Sequence, residues 1–307
     1  MTYEIKIEKA HEEQGTVDLG RLSKIAESIL RISEGALNIR LKGISHPKGR
    51  KSDILHDALR VSLTGINQGS TILSLSSKKF EETLNAYQLD LFRQEDQKEL
   101  SQHTPVSLFI NSFMEAMDDT SGMDFIDKQL LGELKKFQKA FQNDNEVFII
   151  SNKRTTPLLE IKKQDFKKIR TLEEKLPEPE PVIINGKVEE LKHSKLKVKI
   201  ETSEGIVDGF LSEEIPSDKI ASYWGKNVTV TGNAHYKPGE RMTIEIDKIF
   251  EPDTRDQYFS KKPRTETVEQ QIQRQQREKG TKNQLSDIVG KWPGDEDFEK
   301  LINMLNK

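Results

Sequence analysis

Apolar and polar residues follow two different periods along this chain, and the changes of period outline its elements. Near the N-terminus, Tyr3, Ile5 and Ile7 alternate with polar residues, which predicts a half-buried strand. From Leu19 to Leu30, apolar residues recur three and four positions apart, which predicts a helix. Similar runs continue to residue 175, with a helical part near residues 105–141. We therefore expect an N-terminal mixed α/β (α+β) domain over residues 1–175, with helices on an antiparallel sheet.

One stretch of this domain changes its pattern at a glycine. Gly35 interrupts the helical spacing, and Leu37, Ile39 and Leu41 then alternate with other residues. Glycine is unfavourable inside helices, and alternation is the signature of a strand. The pattern predicts that the helix ends near Gly35 and that a strand follows it.

A Pro/Glu linker at residues 176–181 separates this domain from a second one. Alternating prolines disfavour both helix and sheet, so we expect an extended spacer. Residues 182–252 then show three alternating runs, a short helical stretch and two more alternating runs. This order predicts a small five-stranded OB-like β-barrel, although an SH3-like barrel or an open sheet has similar spacing. Gly186, Gly209 and Gly232 fall inside the runs, where barrels need bends or bulges.

The C-terminal part of the chain has two sections. Residues 253–285 are mostly polar and predict a tether, either a free arm or a marginal exposed helix, whereas residues 286–307 predict an amphipathic hook. A short helix with an apolar stripe is unstable alone in water, so the hook is expected to dock. It docks on another protein chain, with Trp292 as a buried anchor, or it folds back on its own domains. The predicted partner-binding residues are Ile288, Trp292, Pro293, Asp295, Glu296, Phe298, Leu301, Ile302 and Leu305.

Composition argues against several classes of protein. The chain has 307 residues, no cysteine and six scattered histidines, so neither a disulfide nor a zinc site is expected. The sequence shows no glycine-rich phosphate loop and no nucleophile elbow, and we expect neither a cofactor nor enzymatic activity. The first residues do not form a signal peptide, and no apolar run is long enough to span a bilayer. A cytoplasmic location without membrane association is expected.

Nucleic-acid binding is the alternative interpretation. OB barrels often bind single strands through basic grooves and stacked aromatic rings. However, the net charge is −3, and residues 182–251 hold ten Lys and Arg against twelve Asp and Glu. Trp224 follows the predicted short helix and is expected in the core. The candidate nucleic-acid contacts are Lys48, Arg50, Lys51, Tyr223, Tyr236 and Lys237.

Two sets of motifs resemble known bacterial proteins. N-G-K-V at 185–188 and W-G-K-N-V-T-V-T-G at 224–232 resemble the C-terminal barrel of uncharacterised bacterial proteins, and residues 69–75 are similar to their N-terminal half. The run W-P-G-D-E at 292–296 resembles a tail common among small bacterial antitoxins, whose C-terminal segment inserts into a toxin. Such genes often lie beside a toxin gene, commonly one for a PIN-domain ribonuclease that holds a metal with carboxylates.

The resemblance implies a protein partner, the product of an adjacent toxin gene. It implies that Asp295, Glu296 and Asp297 lie near the active site of that toxin or near its basic substrate channel, and that this chain neutralises it. A body of this size also suits a larger assembly that holds the pair, such as a phage-defence complex. The chain departs from ordinary antitoxins because it is larger and lacks a small DNA-binding domain at its N-terminus. Binding to its own promoter is therefore not implied.

Overall fold

The computed structural model describes most of the first 263 residues. The chain divides into two units, Met1–Thr265 and Glu266–Lys307. The described residues are 1–10, 16–48, 53–67, 71–84, 100–118, 123–152, 159–192, 196–212, 215, 221–239, 241–253 and 255–263, with 270, 272, 273 and 277.

The N-terminal half is a five-stranded antiparallel sheet that packs with helices in one core, as the sequence predicts. The strand order is β2-β3-β1-β4-β5, and all neighbours are antiparallel. Alternate residues of β1 and β3 are buried, and they share the core with helices α1, α4 and α5. The strands are β1 (Thr2–Glu8), β2 (Val61–Asn67), β3 (Thr71–Ser77), β4 (Val147–Asn152) and β5 (Leu159–Lys162). The helices are α1 (Leu19–Lys42), α2 (Asp53–Ala58), α3 (Phe80–Thr83), α4 (Pro105–Met117), α5 (Lys128–Lys136) and α6 (Phe166–Lys175).

Helix α1 continues through Gly35, so the strand predicted for residues 37–41 is wrong. A Cβ atom on Gly35 would lie 3.0 Å from a methyl group of Leu130 and 3.3 Å from the Cβ of Ser45. The glycine therefore makes room for a close contact inside the domain, and it does not end the helix. The helix ends at Gly43, whose φ of 79° is left-handed and whose N–H donates to the carbonyl of Ile39 at 2.8 Å.

The second half of the body is a closed five-stranded barrel with the strand order β10-β8-β7-β6-β9. Strands β8 and β10 are parallel, and the other neighbours are antiparallel. All five strands lie where the alternating runs predict them. They are β6 (Glu180–Lys192), β7 (Lys197–Thr202), β8 (Gly205–Leu211), β9 (Asn227–Lys237) and β10 (Arg241–Phe250).

The predicted spacer at 176–181 is shorter than its prolines suggest. Leu176 is buried in the N-terminal core, and β6 already begins at Glu180. Pro181 lies opposite Asn233 of β9. Proline is tolerated near the start of a strand, where fewer ladder hydrogen bonds depend on its missing N–H. The two domains are thus joined by few residues.

Glycines inside the barrel strands mark places where two backbones approach closely. A Cβ on Gly232 would lie 2.0 Å from the carbonyl oxygen of Glu245, and one on Gly186 would lie 2.4 Å from that of Glu201. The pairing of β9 with β10 shifts its register beside Gly232, between Ile246 and Lys248. A side chain at either glycine would push neighbouring strands apart.

Replacing Gly232 by alanine is therefore expected to destabilise the barrel by about 3 kcal/mol, because the new methyl group overlaps the backbone of β10. The matched control is Gly65→Ala in β2, where no atom lies within 4 Å of an added Cβ. Urea unfolding followed by circular dichroism measures both changes. Equal losses of stability in the two variants would contradict the steric explanation.

Candidate functional site

The predicted partner-binding residues from Ile288 to Leu305 lie outside the described residues. The same is true of Arg50 and Lys51 in the basic loop. The candidate site therefore consists of the barrel surface, its junction with the N-terminal domain, and the segment that leads to the tail.

The N-terminal domain meets the barrel along a polar junction, here called the seam. Lys48 is part of it: its main-chain N–H donates to Oε1 of Glu245 at 2.6 Å, and its Nζ lies 3.0 Å from both carboxylate oxygens of Asp247. Lys237 Nζ donates to the carbonyl of Asp124 at 3.4 Å. Two of the residues predicted to contact nucleic acid thus make contacts between the domains.

Two further seam contacts are the close packing of Gly43 against Thr243 and the position of the Lys42 ammonium over the Phe210 ring. A Cβ on Gly43 would lie 3.1 Å from the methyl group of Thr243. Lys42 Nζ lies 5.4 Å from the ring centroid of Phe210, and Arg241 pairs with Asp124. The seam therefore joins the domains largely through charged groups.

The aromatic residues of the barrel differ in how deeply they are buried. Tyr236 is buried, and its hydroxyl donates to Oε1 of Glu180. Burial, with the hydrogen bond and charge of Glu180, raises the pKa of the Tyr236 phenol well above its ordinary value. Its ring is not available to stack on a base. Tyr223 is partly buried against the barrel core.

Trp224 is 68% exposed, so the expectation that it lies in the core is wrong. It belongs to a tight turn in which Gly225 has a φ of 73°. The Gly225 N–H donates to the carbonyl of Val188 at 3.0 Å, and the Val188 N–H donates to that of Lys226 at 2.9 Å. The turn is fixed to β6 by these bonds and holds the indole outward.

The outward side chains of β7 and β8 do not form a basic, aromatic groove among the described residues. Lys199 pairs with Glu190 at 2.7 Å. Glu201 and Asp208 are exposed and acidic, and the ring of Phe210 is buried beneath Lys42. The N-terminal domain thus covers the aromatic residue on this face.

A buried His–Glu pair lies at the seam. His235 Nε2 is 3.6 Å from Oε2 of Glu245, and within the described structure neither ring nitrogen has a hydrogen-bond partner. Burial alone would raise the pKa of Glu245. The nearby His235 ring and the Lys48 N–H outweigh it, so the pKa of Glu245 lies below its ordinary value of 4.5.

Acidification is expected to weaken the seam through Glu245. Because its folded pKa is depressed, its interactions stabilise the fold above about pH 4.5 and are lost as the pH falls through the lower folded value. The Glu245→Gln variant keeps an acceptor for the Lys48 N–H and should have a lower Tm than the wild type at about pH 6. This difference in Tm should become smaller as the pH is lowered to about 3, because the wild type then loses the charge of Glu245. Asp208→Asn, an exposed carboxylate on the same barrel, is the control. A deficit independent of pH would contradict this assignment.

Residues 251–253 and 255–263, here called the strap, lie on the outside of the barrel. Thr229 Oγ1 donates to the Asp256 carboxylate at 2.7 Å, which lowers the pKa of Asp256. The Ser203 N–H and hydroxyl both donate to the carbonyl of Ser260, at 2.9 and 2.7 Å. The Lys262 N–H donates to Glu204 at 3.2 Å. Residues 255–263 of the predicted tether are therefore held on the barrel near the β7–β8 turn.

Comparisons with known protein families, with curated proteins and with solved structures find no match for this chain. Within the described ranges, no group of three His, Asp or Glu side chains is placed to hold a metal ion. No described helix is both long and apolar enough to cross a membrane. The function is therefore argued from the chain's own residues.

Proposed function

We propose that this protein is an antitoxin-like inhibitor that acts in the cytoplasm. It neutralises a toxin, a nuclease such as a PIN-domain ribonuclease, by docking its C-terminal Trp-containing segment. The observation that carries the proposal is the W-P-G-D-E run at 292–296, followed by the apolar stripe Phe298, Leu301, Ile302 and Leu305. A stripe of this kind needs a groove to cover it.

The division of the chain supports this proposal. The body ends at Thr265, and the segment with the apolar stripe belongs to the second unit. Hydrogen bonds to Thr229 and Ser203 fix the strap, the last described part of the body, to the barrel. Such an arrangement suits a protein whose body positions a C-terminal binding segment.

We also propose that the barrel is an OB fold. Strand β6 pairs with β7, β7 with β8, and β8 with β10. Strand β10 pairs with β9, and β9 closes the barrel by pairing with β6. A closed five-stranded Greek-key barrel is the architecture of the OB fold. This is the observation that favours the alternative function, binding of single-stranded nucleic acid.

The surface of the barrel favours protein binding over that alternative. Oligonucleotides bind OB folds on the face of the second and third strands. Here those strands are β7 and β8, whose outward residues carry mixed charge and whose Phe210 ring is covered by Lys42. Measurable affinity for short oligonucleotides that weakens with salt would restore the alternative.

Co-expression with the product of the adjacent gene tests the main proposal. The full chain is expected to co-purify with that protein and to relieve its toxicity, whereas residues 1–285 should do neither. Because the truncation leaves the body intact, its thermal unfolding should match that of the full chain. Unchanged co-purification by the truncated chain would rule the proposal out.

A further inference from the structure

Exposed apolar side chains lie in the strap and on barrel strands next to it. Ile183 of β6 is 44% exposed, Phe250 at the end of β10 is 39% exposed, and Phe259 is 40% exposed. Tyr258 is 86% exposed, and both Tyr258 and Phe259 belong to the 3-10 helix Asp256–Phe259 of the strap. Single exposed apolar residues are ordinary on protein surfaces, but a group of them marks an interaction site.

The register of the barrel places Ile183 and Phe250 on one outward face. Thr229 of β9 lies opposite Phe250, and Thr231 lies opposite Ile183. The Asp256 carboxylate accepts a hydrogen bond from Thr229, so the strap crosses this face at Thr229. Ile183, Phe250, Tyr258 and Phe259 together are here called the strap surface.

The strap surface lies where the described body ends and the chain continues towards the tail. Residues 264–285 number 22, and a residue spans at most about 3.6 Å whatever its conformation. A protein held by residues 286–307 therefore stays within roughly 80 Å of Pro263. Confinement to such a sphere is an effective concentration on the order of 1 mM. At that concentration even a weak contact with the body is populated.

We propose that the protein bound by the C-terminal segment also docks on the strap surface. This inference rests on the proposed function and adds a second contact to it. The occupant is the same partner, which must present an apolar area to Ile183, Phe250 and the strap. The exposed charges around the surface include Lys248, Glu251 and Asp253, which are of both signs. The contact should therefore depend little on salt.

Calorimetry with the purified product of the adjacent gene tests this second contact. The full chain is expected to bind it at least about fivefold more tightly than a peptide of residues 286–307, because the second contact is intramolecular once the tail is bound. Ile183→Ser with Phe250→Ser should remove most of that gain. The control is Leu63→Ser with Ile66→Ser on β2, whose exposures of 43% and 40% match those of the tested pair. The control should bind like the wild type.

A single variant, Tyr258→Ser, still tests the second contact if the double variant fails to fold, because this largely exposed side chain is not part of the core. It should lower the affinity of the full chain at least about twofold without changing its thermal unfolding. Equal affinities of the full chain and the peptide would overturn the inference and leave the proposed function intact. A peptide that does not bind at all would overturn both.

Discussion

Replacing Trp292 by alanine is expected to weaken binding of the adjacent gene product by at least about 30-fold, a loss of about 2 kcal/mol. Tryptophan is enriched among the few residues that dominate protein interfaces, because it buries a large area at a small cost in side-chain entropy. Trp292 precedes Pro293 and Gly294 and stands next to the apolar stripe that must be covered. Calorimetric titration of the full-length variant measures the loss.

The other tryptophan of the chain provides the matched control. The sequence has only Trp224 and Trp292, and Trp224 is held outward on a turn of the barrel that lies outside the proposed contacts. Trp224→Ala should leave the affinity within about twofold of the wild type. In a Trp224→Phe background, a blue shift of the fluorescence on complex formation would report burial of Trp292 directly. Equal losses of affinity in the two alanine variants would contradict the assigned role of Trp292.

Replacing Glu146 by alanine is expected to destabilise the N-terminal domain by about 3–5 kcal/mol, because it removes a buried carboxylate that pairs with the Arg21 guanidinium. Arg21 Nη2 lies 2.8 Å from Oε2 of Glu146, and the two side chains are only 3% and 0% exposed. Arg21 Nε also donates to the carbonyl of Ala140 at 2.9 Å, and the Gln142 N–H donates to Glu146 at 2.8 Å. The pair thus ties α1 to the loop before β4.

An exposed ion pair on the same helix is the control for Glu146. Glu27 lies 2.8 Å from Nε of Arg31, but both side chains are more than half exposed. Glu27→Ala should therefore change the stability by no more than about 0.5 kcal/mol. The Tm values of the two variants in thermal unfolding should differ by roughly 10 °C. Urea unfolding should show the same difference in stability. A similarly small effect of both substitutions would contradict the role assigned to the buried Arg21–Glu146 pair.

The strands of the barrel and most elements of the N-terminal domain can be predicted from sequence, because each has one buried and one polar face. Tyr3, Ile5 and Ile7 are buried in β1, and the five barrel strands follow their alternating runs within a few residues. The prediction fails at Gly35 because a glycine is needed there for close packing against Leu130, which is distant in sequence. Periodicity reports which face of an element is buried, and it does not report which element comes close to it.

The surface residues were harder to predict because burial of an aromatic ring depends on the closed barrel. Tyr223 and Trp224 are adjacent in sequence, yet Tyr223 packs towards the core and the Trp224 indole points to solvent. Tyr236 lies in the barrel core, where Glu180, far away in sequence, accepts a hydrogen bond from its hydroxyl. The strap has little apolar pattern, since polar bonds such as that of Asp256 with Thr229 hold it.

The strap also sets the order in which the body yields to mechanical force. A pull on the chain from its C-terminus reaches Lys262 and Ser260 before it reaches Asp256. These polar contacts open one after another, and only then does the load pass to β10. That strand is bonded on both sides, to β8 and to β9, and many bonds must break together to remove it. The barrel should therefore resist unfolding by enzymes that pull on the chain from its C-terminal side, and the pairing of β10 with its two neighbours should provide that resistance.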